Sequence, residues 1–259
     1  MRENWQVELS SKSLKKTRKY GILGRIMPCS DRLICMEAGA ETGVITDYLR
    51  REKGGRWIAG VLAERWYGVS QELLKEDVYE INPSRIGFPD STFDIVLASR
   101  PEHIFDDIRF FAEVHRVLKL SGRIFILTPH NEPELFLNRL KEKIGLTLEQ
   151  YDHYRPGYGT SEMEDKLRKA GFVVERSGSY CKFFTELIEL LLNAGYSFMG
   201  KRKEKSLSYR PETKEEIGKN KLGYMVYSWI YPFLRIISLL DYLLPFTKGY
   251  VLYMQAKKK

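Results

Sequence analysis

The stretch Arg32-Leu-Ile-Cys-Met-Glu-Ala-Gly-Ala-Glu-Thr-Gly43 joins a short apolar run to two glycines. Leu33–Met36 is long enough for one buried strand, and Val44–Leu49 has the pattern of a helix. A strand, a glycine turn and a helix therefore follow one another. Because glycine tolerates positive φ and carries no side chain, such a turn lets a ligand approach the backbone closely. The free N–H groups of the new helix point towards that ligand.

Apolar runs and helical patterns alternate along the rest of the chain. Ile108–Leu118 has apolar side chains at helical spacing, and Ser161, with Glu164 three residues later, is the expected N-cap of a later helix. Further strands are predicted at Arg56–Leu62, Val78–Ile81, Ile95–Ala98, Arg123–Thr128, Gly171–Glu175 and Gly249–Ala256. This alternation predicts an α/β fold with a doubly wound, mostly parallel sheet of seven strands.

Composition limits the classes of partner and site. The 259 residues carry a formal net charge of +8, much of it in the basic runs 12–19, 201–205 and 257–259. Basic runs suit nucleic acid or anionic lipid, but no aromatic–basic or helix-turn-helix motif accompanies them, which disfavours nucleic acid. The three cysteines and four histidines show no ligand spacing, so no metal site is predicted. No apolar leader is evident, and a cytoplasmic location is expected.

Residues 32–130 resemble a large group of class I S-adenosylmethionine (SAM)-dependent methyltransferases, which includes quinone and sterol methylases and polysaccharide-cluster enzymes. The resemblance rests on the pattern Glu37-x-Gly39-x-x-x-Gly43, followed in order by "GFPDSTFDIVLAS" (87–99), "EHIFDD" (102–107) and "FFAEVHRVLKLSGRIFILTPH" (110–130). It implies a Rossmann-like methyltransferase fold, SAM as cofactor and methyl transfer as the reaction. In this fold class the final strand is antiparallel and lies between the fifth and sixth.

The resemblance also implies a set of cofactor contacts at the first strand. Glu37 would face the methionine amino end of SAM through the turn. The close approach of the cofactor would be made to Ala38, Gly39, Ala40 and Gly43.

Two positions depart from the family pattern. Where the family carries an acid after the second strand, this chain has Val61, and Glu64 is the candidate substitute for holding the ribose. Where the family carries an acid after the third strand, the chain has Asn82, whose carbonyl could still accept from the adenine amine. Ser99 and Arg100 are expected to line the edge beside the methyl group.

Three histidines are candidates for a catalytic base or an acceptor contact. His103 follows the fourth strand, His130 follows the fifth, and His153 lies in "YDHYRPGYG" (151–159), which resembles a stretch in related polysaccharide-cluster methylases. For His103 a structural hydrogen bond is the alternative role. A base assists methyl transfer when the acceptor is a hydroxyl or an acidic carbon.

The chain divides into a helical lead-in at 1–30, a SAM-binding domain at 31–180 plus 249–259, and a helical insertion at 181–248. The lead-in is expected to pack on the domain edge. The insertion carries two apolar stretches, 183–192 and 224–246, and Arg235 and Asp241 argue against a membrane span through the second. Two alternatives stay open: packing over the catalytic edge, or contact with the inner membrane face.

Methyl transfer to a small-molecule, sugar or lipid-linked acceptor is therefore the first hypothesis. The second is a degenerate methyltransferase fold that acts as a binding or scaffold protein, because Val61 and Asn82 replace expected acids. A nucleic-acid methylase is a third alternative, but the chain has Ser99-Arg-Pro-Glu102 where a base-flipping motif would stand. The sequence specifies neither the acceptor nor the oligomeric state.

Overall fold

The computed structural model describes residues 4–144, 148, 152–196 and 221–259. Its strands are β1 Ile34–Ala40, β2 Arg56–Val61, β3 Val78–Glu80, β4 Phe93–Ala98, β5 Leu118–Pro129, β6 Phe172–Tyr180 and β7 Val251–Lys258. They form one sheet in the order β3-β2-β1-β4-β5-β7-β6. β7 is antiparallel to both of its neighbours, and the other pairs are parallel. The predicted seven-stranded sheet, with its last strand between the fifth and sixth, is confirmed.

Helices cover both faces of this sheet. They are α1 Trp5–Ser11, α2 Leu14–Ile26, α3 Val44–Lys53, α4 Glu64–Leu74, α5 Asp107–Val117, α6 Phe136–Lys143, α7 Thr160–Lys169, α8 Phe183–Tyr196 and α9 Lys221–Ser238, with short 3-10 helices at Pro101–His103 and Leu239–Leu243. The apolar face predicted for α5 is fully buried at Phe110, Phe111, Val114 and Val117. On the other face of the sheet, Leu23 and Leu49 pack with Trp57 and Cys35. Burial of both faces explains why the central strands are nearly continuous apolar runs.

Two boundaries differ from the sequence prediction. α7 begins at Thr160 and not after a Ser161 cap, because the Thr160 N–H donates to Oε1 of Glu132 at 2.9 Å. β5 begins at Leu118 instead of at Arg123. β6, predicted to begin within 171–175, runs from Phe172 to Tyr180. β6 has only one neighbouring strand, so a polar stretch such as 176–179 can complete it without being enclosed on both sides.

The strand register places both ends of the segment 181–250 at one edge of the sheet. Ala38 of β1 pairs with Ala98 of β4, and Ala98 pairs with Ile126 of β5, so these strands end together. At the same edge Tyr180 of β6 pairs with Val251 of β7. The chain between β6 and β7 therefore leaves and returns beside the glycine turn. This is the edge where open α/β sheets bind ligands.

Buried charges attach the segment 181–250 to the rest of the protein. The Glu186 carboxylate of α8 is fully enclosed and is paired with Lys15 of α2 at 2.8 Å and with Lys141 of α6. Asp241 accepts backbone N–H bonds from Lys182 at 2.9 Å and Phe184 at 2.8 Å, so this acid caps the start of α8. In the described parts of the chain, no helix combines the length and apolarity needed to cross a bilayer.

Candidate functional site

The glycine turn after β1 is built around a buried acid. Glu37 is 2% exposed, and its Oε2 accepts a hydrogen bond of 2.6 Å from the Thr46 hydroxyl in α3. Burial raises the pKa of the Glu37 carboxyl, while hydrogen bonds from Thr46 and Ser99 favour its charged form. The turn itself requires glycine: Gly39 has φ +97°, and Gly43 has φ +75°. A Cβ on Gly39 would lie 3.3 Å from the Ser99 hydroxyl oxygen.

A small cavity of about 50 Å³ lies over this turn. It is lined by Glu37, Gly39, Glu41, Thr42, Gly43, Val44, Ile45, Ser99 and Arg100 from the domain, and by Ser10, Lys16, Lys19 and Tyr20 from α1 and α2. The lead-in helices therefore lie across the turn, whereas the sequence predicted only that they pack on the domain edge.

Charges of both signs meet in this cavity. Arg100 Nη1 lies 2.8 Å from Oε1 of Glu41. Lys19 reaches in from α2; burial and then the neighbouring Arg100 lower its pKa, while Glu41 and Glu37 oppose the shift. α2 thus brings a positive charge close to the acid at the end of β1.

Glu64 and Asn82, the candidates to replace the acids that the family carries after β2 and β3, lie outside this cavity. Val61 ends β2 and is completely buried. Glu64 begins α4 and is exposed, and Asn82 is exposed after β3, where its Oδ1 accepts from the Ser84 N–H at 2.9 Å. The structure therefore brings Glu37, the two glycines, Ser99 and Arg100 together around one cavity, and Glu64 and Asn82 do not line it. Ala38 and Ala40 lie within β1 with their side chains buried.

Two of the three candidate histidines meet beside Arg100. The rings of His103 and His153 pack edge to face with centroids 4.6 Å apart, and Nε2 of His103 lies 2.9 Å from Arg100 Nη1. Burial, and then the charge of Arg100, lower the pKa of His103 to about 2 and that of His153 to about 4. Both rings are therefore neutral at physiological pH.

Glu102 is a site residue that sequence reasoning missed. Its side chain is enclosed, its Oε2 accepts from the Thr128 hydroxyl at 2.9 Å, and burial raises its pKa to about 7. A donor atom from each of Glu102, His103 and His153 lies within 4.8 Å of the other two, close enough to share a cation. His153 comes from a distant loop, so no spacing rule could have found this group. The available signal was the Glu102-His103 pair directly after β4.

His130 has a different environment. It is 2% exposed, its Nδ1 lies 2.8 Å from the Gly249 carbonyl oxygen and its Nε2 lies 3.1 Å from the Thr160 hydroxyl. The two ring nitrogens thus connect the end of β5 to Gly249, just before β7, and to Thr160 at the start of α7. The sequence predicted an acceptor contact or a base at His130, whereas both ring nitrogens already have structural partners.

A larger groove of about 850 Å³ lies between residues 84–89 and α5. It borders neither the glycine turn nor the Glu102–His103–His153 group, so its size alone does not make it the site of chemistry. The edge formed by the ends of β1 and β4 holds the buried acid, the strained glycine and the perturbed side chains together.

The sequence is similar to a known protein family from β1 to β5. Residues 36–126 match the family model described as a methyltransferase domain, which covers β1 to β5. No curated protein shows significant similarity to the sequence.

Solved structures share the fold over most of the chain. A methyltransferase candidate from Bacillus halodurans is 16% identical, with a TM-score of 0.60 over 93% of this chain and 99% of that one. Phosphoethanolamine N-methyltransferase 2 from Haemonchus contortus, solved with SAM, is 17% identical, with a TM-score of 0.55 over 93% of this chain and 52% of that one. The [4+2]-cyclase SpnF is 13% identical, with a TM-score of 0.59 over 94% of this chain and 80% of that one.

At these identities the solved structures establish the fold alone, and the cyclase is a reminder that this fold hosts other reactions. The domain assignment comes from the family model, which matches the segment that carries Glu37, the glycine turn and Arg100. Residues 36–126 of the chain therefore carry a methyltransferase domain, on the seven-stranded fold that its solved neighbours share.

Proposed function

We propose that the chain transfers the methyl group of SAM to a small-molecule, sugar or lipid-linked acceptor at the joint edge of β1 and β4. The observation that carries this proposal is the buried Glu37 carboxylate beside Gly39, whose missing side chain leaves the backbone accessible. An ammonium and a sulfonium are both cations, so a buried acid suits the methionine end of SAM.

The residues of the turn fit SAM, while the position of α2 restricts access to it. Glu37 would accept from the amino group, and the backbone of Gly39 to Gly43 would approach the methionine and ribose. The cavity of about 50 Å³ is narrow because Ser10, Lys16, Lys19 and Tyr20 of α1 and α2 line it, and we propose that these helices move away from the turn when the cofactor binds. Glu64 and Asn82 are held outside the cavity, and we propose that they contribute only after such a movement.

Catalysis by these residues is mainly a matter of alignment. When bound, SAM supplies an electrophilic methyl carbon on a positively charged sulfur, and the leaving thioether is neutral. Ser99 and Arg100 follow β4 directly, so they would orient the acceptor towards that methyl group. A closed edge also keeps water from competing with the acceptor.

Of Glu102, His103 and His153, Glu102 has the pKa that best suits a general base. A base works best when its pKa lies near the working pH, and Glu102 has a pKa of about 7, whereas His103 and His153 have values of about 2 and 4. We propose that Glu102 accepts the acceptor's proton. His103 and His153 would hold the acceptor through hydrogen bonds as neutral rings.

A lipid-linked acceptor at a membrane surface is the form of this proposal that the insertion favours. Residues 225–246 expose many large apolar side chains, including Trp229 at 78% and Phe246 at 99%. The earlier alternative of contact through 183–192 is not retained, because Glu186 and Leu190 of α8 are buried. We propose a peripheral location at the inner membrane face, with 181–248 as the acceptor-side insertion.

Calorimetric titration of the full chain with SAM and with S-adenosylhomocysteine tests this proposal. Binding of both ligands is expected, with loss of binding in Glu37→Gln. Incubation with SAM carrying an isotopically labelled methyl group then reports transfer to extracts of lipid-linked sugars. Absence of binding by either ligand at millimolar concentration would remove the proposal.

A second candidate function is that of a binding protein on a degenerate methyltransferase fold. Val61 is fully buried where the family carries an acid, and the crevice is nearly filled. Under this alternative the chain would bind SAM weakly or not at all and transfer no methyl group. Tight binding together with labelled-methyl turnover would exclude it.

A further inference from the structure

In α9 polar groups face the protein, and large apolar side chains face outward. A surface helix normally turns its apolar stripe to the core and its polar groups to solvent. In α9 the hydroxyls of Tyr227 and Tyr231 point inward, donating to the carbonyl oxygens of Lys12 at 2.6 Å and Ser11 at 3.2 Å. The outward side chains are large and apolar. This polarity suits a helix whose outer surface meets something other than water.

The apolar surface continues beyond α9 into the following 3-10 helix and loop. Its most exposed members are Phe246 at 99%, Trp229 at 78%, Leu243 at 74%, Phe233 at 69%, Tyr242 at 67% and Ile236 at 64%. Contiguous exposed apolar surface of this extent marks an interaction site. We call it the α9 surface.

Charge and composition identify a lipid bilayer as the partner of the α9 surface. Arg235 is exposed within it, and Arg18 of α2 lies beside it over the Tyr242 ring at 4.8 Å. Long cationic side chains next to Trp and Tyr suit the headgroup region, where the apolar part of the side chain is buried and the charge stays in water. The net charge of +8 adds attraction to anionic lipid.

α2 lies between the α9 surface and the cofactor crevice. Residues advance by about 100° per position around a helix, so Lys16, Lys19 and Tyr20 share one side of α2 and line the crevice. Arg18 points to the other side, where Nη1 donates to the Tyr242 hydroxyl at 2.6 Å and Nη2 donates to the Ser238 carbonyl at 3.1 Å. One helix thus touches both surfaces through opposite faces.

We propose that the α9 surface docks on an anionic bilayer and that docking releases α2 from the cofactor crevice. Lipid phosphates offer Arg18 a stronger, charge-assisted acceptor than a tyrosine hydroxyl. Insertion of Tyr242 into the headgroup region also takes the Tyr242 hydroxyl away from Arg18. α2 keeps its Lys15–Glu186 pair and its buried Leu23, and it tilts about these anchors to withdraw Lys19 from Glu37 and to open the crevice. The inference rests on the proposed cofactor role of this crevice.

The experiment measures docking and cofactor affinity separately on the full chain. Vesicles of phosphatidylglycerol and phosphatidylcholine in equal parts are compared with vesicles of phosphatidylcholine alone. Co-sedimentation reports docking, and equilibrium dialysis with labelled SAM reports the Kd in the absence and presence of vesicles. We expect sedimentation with the anionic vesicles and a Kd for SAM that is about tenfold lower there, within the usual range of coupling between two sites.

Three variants divide the proposal into its parts. Trp229→Glu with Phe233→Glu should abolish sedimentation and the vesicle effect on Kd, while Ile108→Glu, an equally exposed apolar position on α5, should change neither. Tyr227→Phe with Tyr242→Phe keeps the apolar surface and removes two of the hydroxyl contacts with the lead-in helices, those to Lys12 and Arg18. That variant should sediment normally and bind SAM tightly without vesicles.

Each contrary outcome has a defined meaning. Sedimentation with an unchanged Kd overturns the release of α2. Failure to sediment, or a concentration-dependent dimer that buries Trp229, overturns docking on lipid and assigns the α9 surface to a second copy. Failure to bind SAM under every condition, with sedimentation intact, counts against the proposed function and leaves the docking result standing.

Discussion

Oε2 of Glu37 and the hydroxyl of Thr46 are joined by a 2.6 Å hydrogen bond that links the end of β1 to the first turns of α3. Both side chains are buried, at 2% and 0% exposure. The acid is therefore held in a fixed orientation across the glycine turn, and a fixed carboxylate loses little entropy when it accepts from a ligand. This relationship leads to the first prediction.

Glu37→Gln should weaken SAM binding by about one to two powers of ten, because a hydrogen bond to a charged group contributes roughly 1.5–3 kcal/mol. The fold should not suffer, since the change removes a buried charge and keeps the shape of the side chain. Calorimetry gives the affinity and thermal unfolding gives the stability. Thr46→Val is the companion variant, expected to weaken binding by a smaller factor. An unchanged affinity in Glu37→Gln would show that this acid does not hold the cofactor.

Gly39→Ala should destabilise the protein by about 1–3 kcal/mol, because a residue with a Cβ is strained at positive φ. Its Cβ would also press on Ser99 and Arg100 and close the turn to SAM. Gly68→Ala in α4 is the matched control, since a Cβ there meets nothing within 4 Å. The control should gain about 0.5–1 kcal/mol from better helix formation. Equal effects at the two positions in thermal unfolding would refute the role given to Gly39.

The stability difference between wild type and Glu102→Gln should depend on pH. The folded-state pKa of Glu102 is about 7, above the ordinary value of 4.5, so folding favours the protonated form. The native state is therefore destabilised progressively as pH rises from about 4.5 to about 7, by about 3 kcal/mol in total. Glutamine cannot ionise, so the variant should gain on wild type across this window.

Denaturant titrations at pH 5 and pH 8 measure that difference. Comparing the two proteins at each pH cancels the contribution of His103 and His153, whose pKa values are lowered and whose effect runs in the opposite direction. A pH-independent difference would mean that Glu102 is not held in a low-dielectric site.

Glu186→Gln should destabilise the protein by about 1.5–3 kcal/mol, because it removes the charged hydrogen-bond partner of two partly buried lysines. Lys15 and Lys141 both reach this carboxylate, so the variant should loosen α2, α6 and α8 together. Glu8→Gln removes an exposed partner of Lys12 and should cost less than about 1 kcal/mol. The free energy of unfolding measures both, and similar losses would contradict the buried network.

The sheet was predictable because its information is local. Each buried strand is an apolar run bounded by turn residues, and the family resemblance of 32–130 implied the place of the antiparallel strand. The coverage of the turn by α2 was not predictable, because it depends on contacts such as Lys15 with Glu186 between distant segments. The meeting of His103 with His153 and the burial of Glu102 are likewise tertiary facts with no signature in spacing.

The position of β7 between β5 and β6 sets the order in which the last strands can join the sheet during translation. β6 has no other strand to pair with, so it cannot join the sheet until residues 181–250 have been translated and β7 has followed them. Throughout that interval β5 is an open edge of a partly assembled sheet, with its N–H and C=O groups unpaired along one side. The apolar stretch 224–246 emerges from the ribosome during the same interval. The nascent chain is therefore most prone to aggregation late in its translation, when a chaperone or a nearby membrane would protect it most.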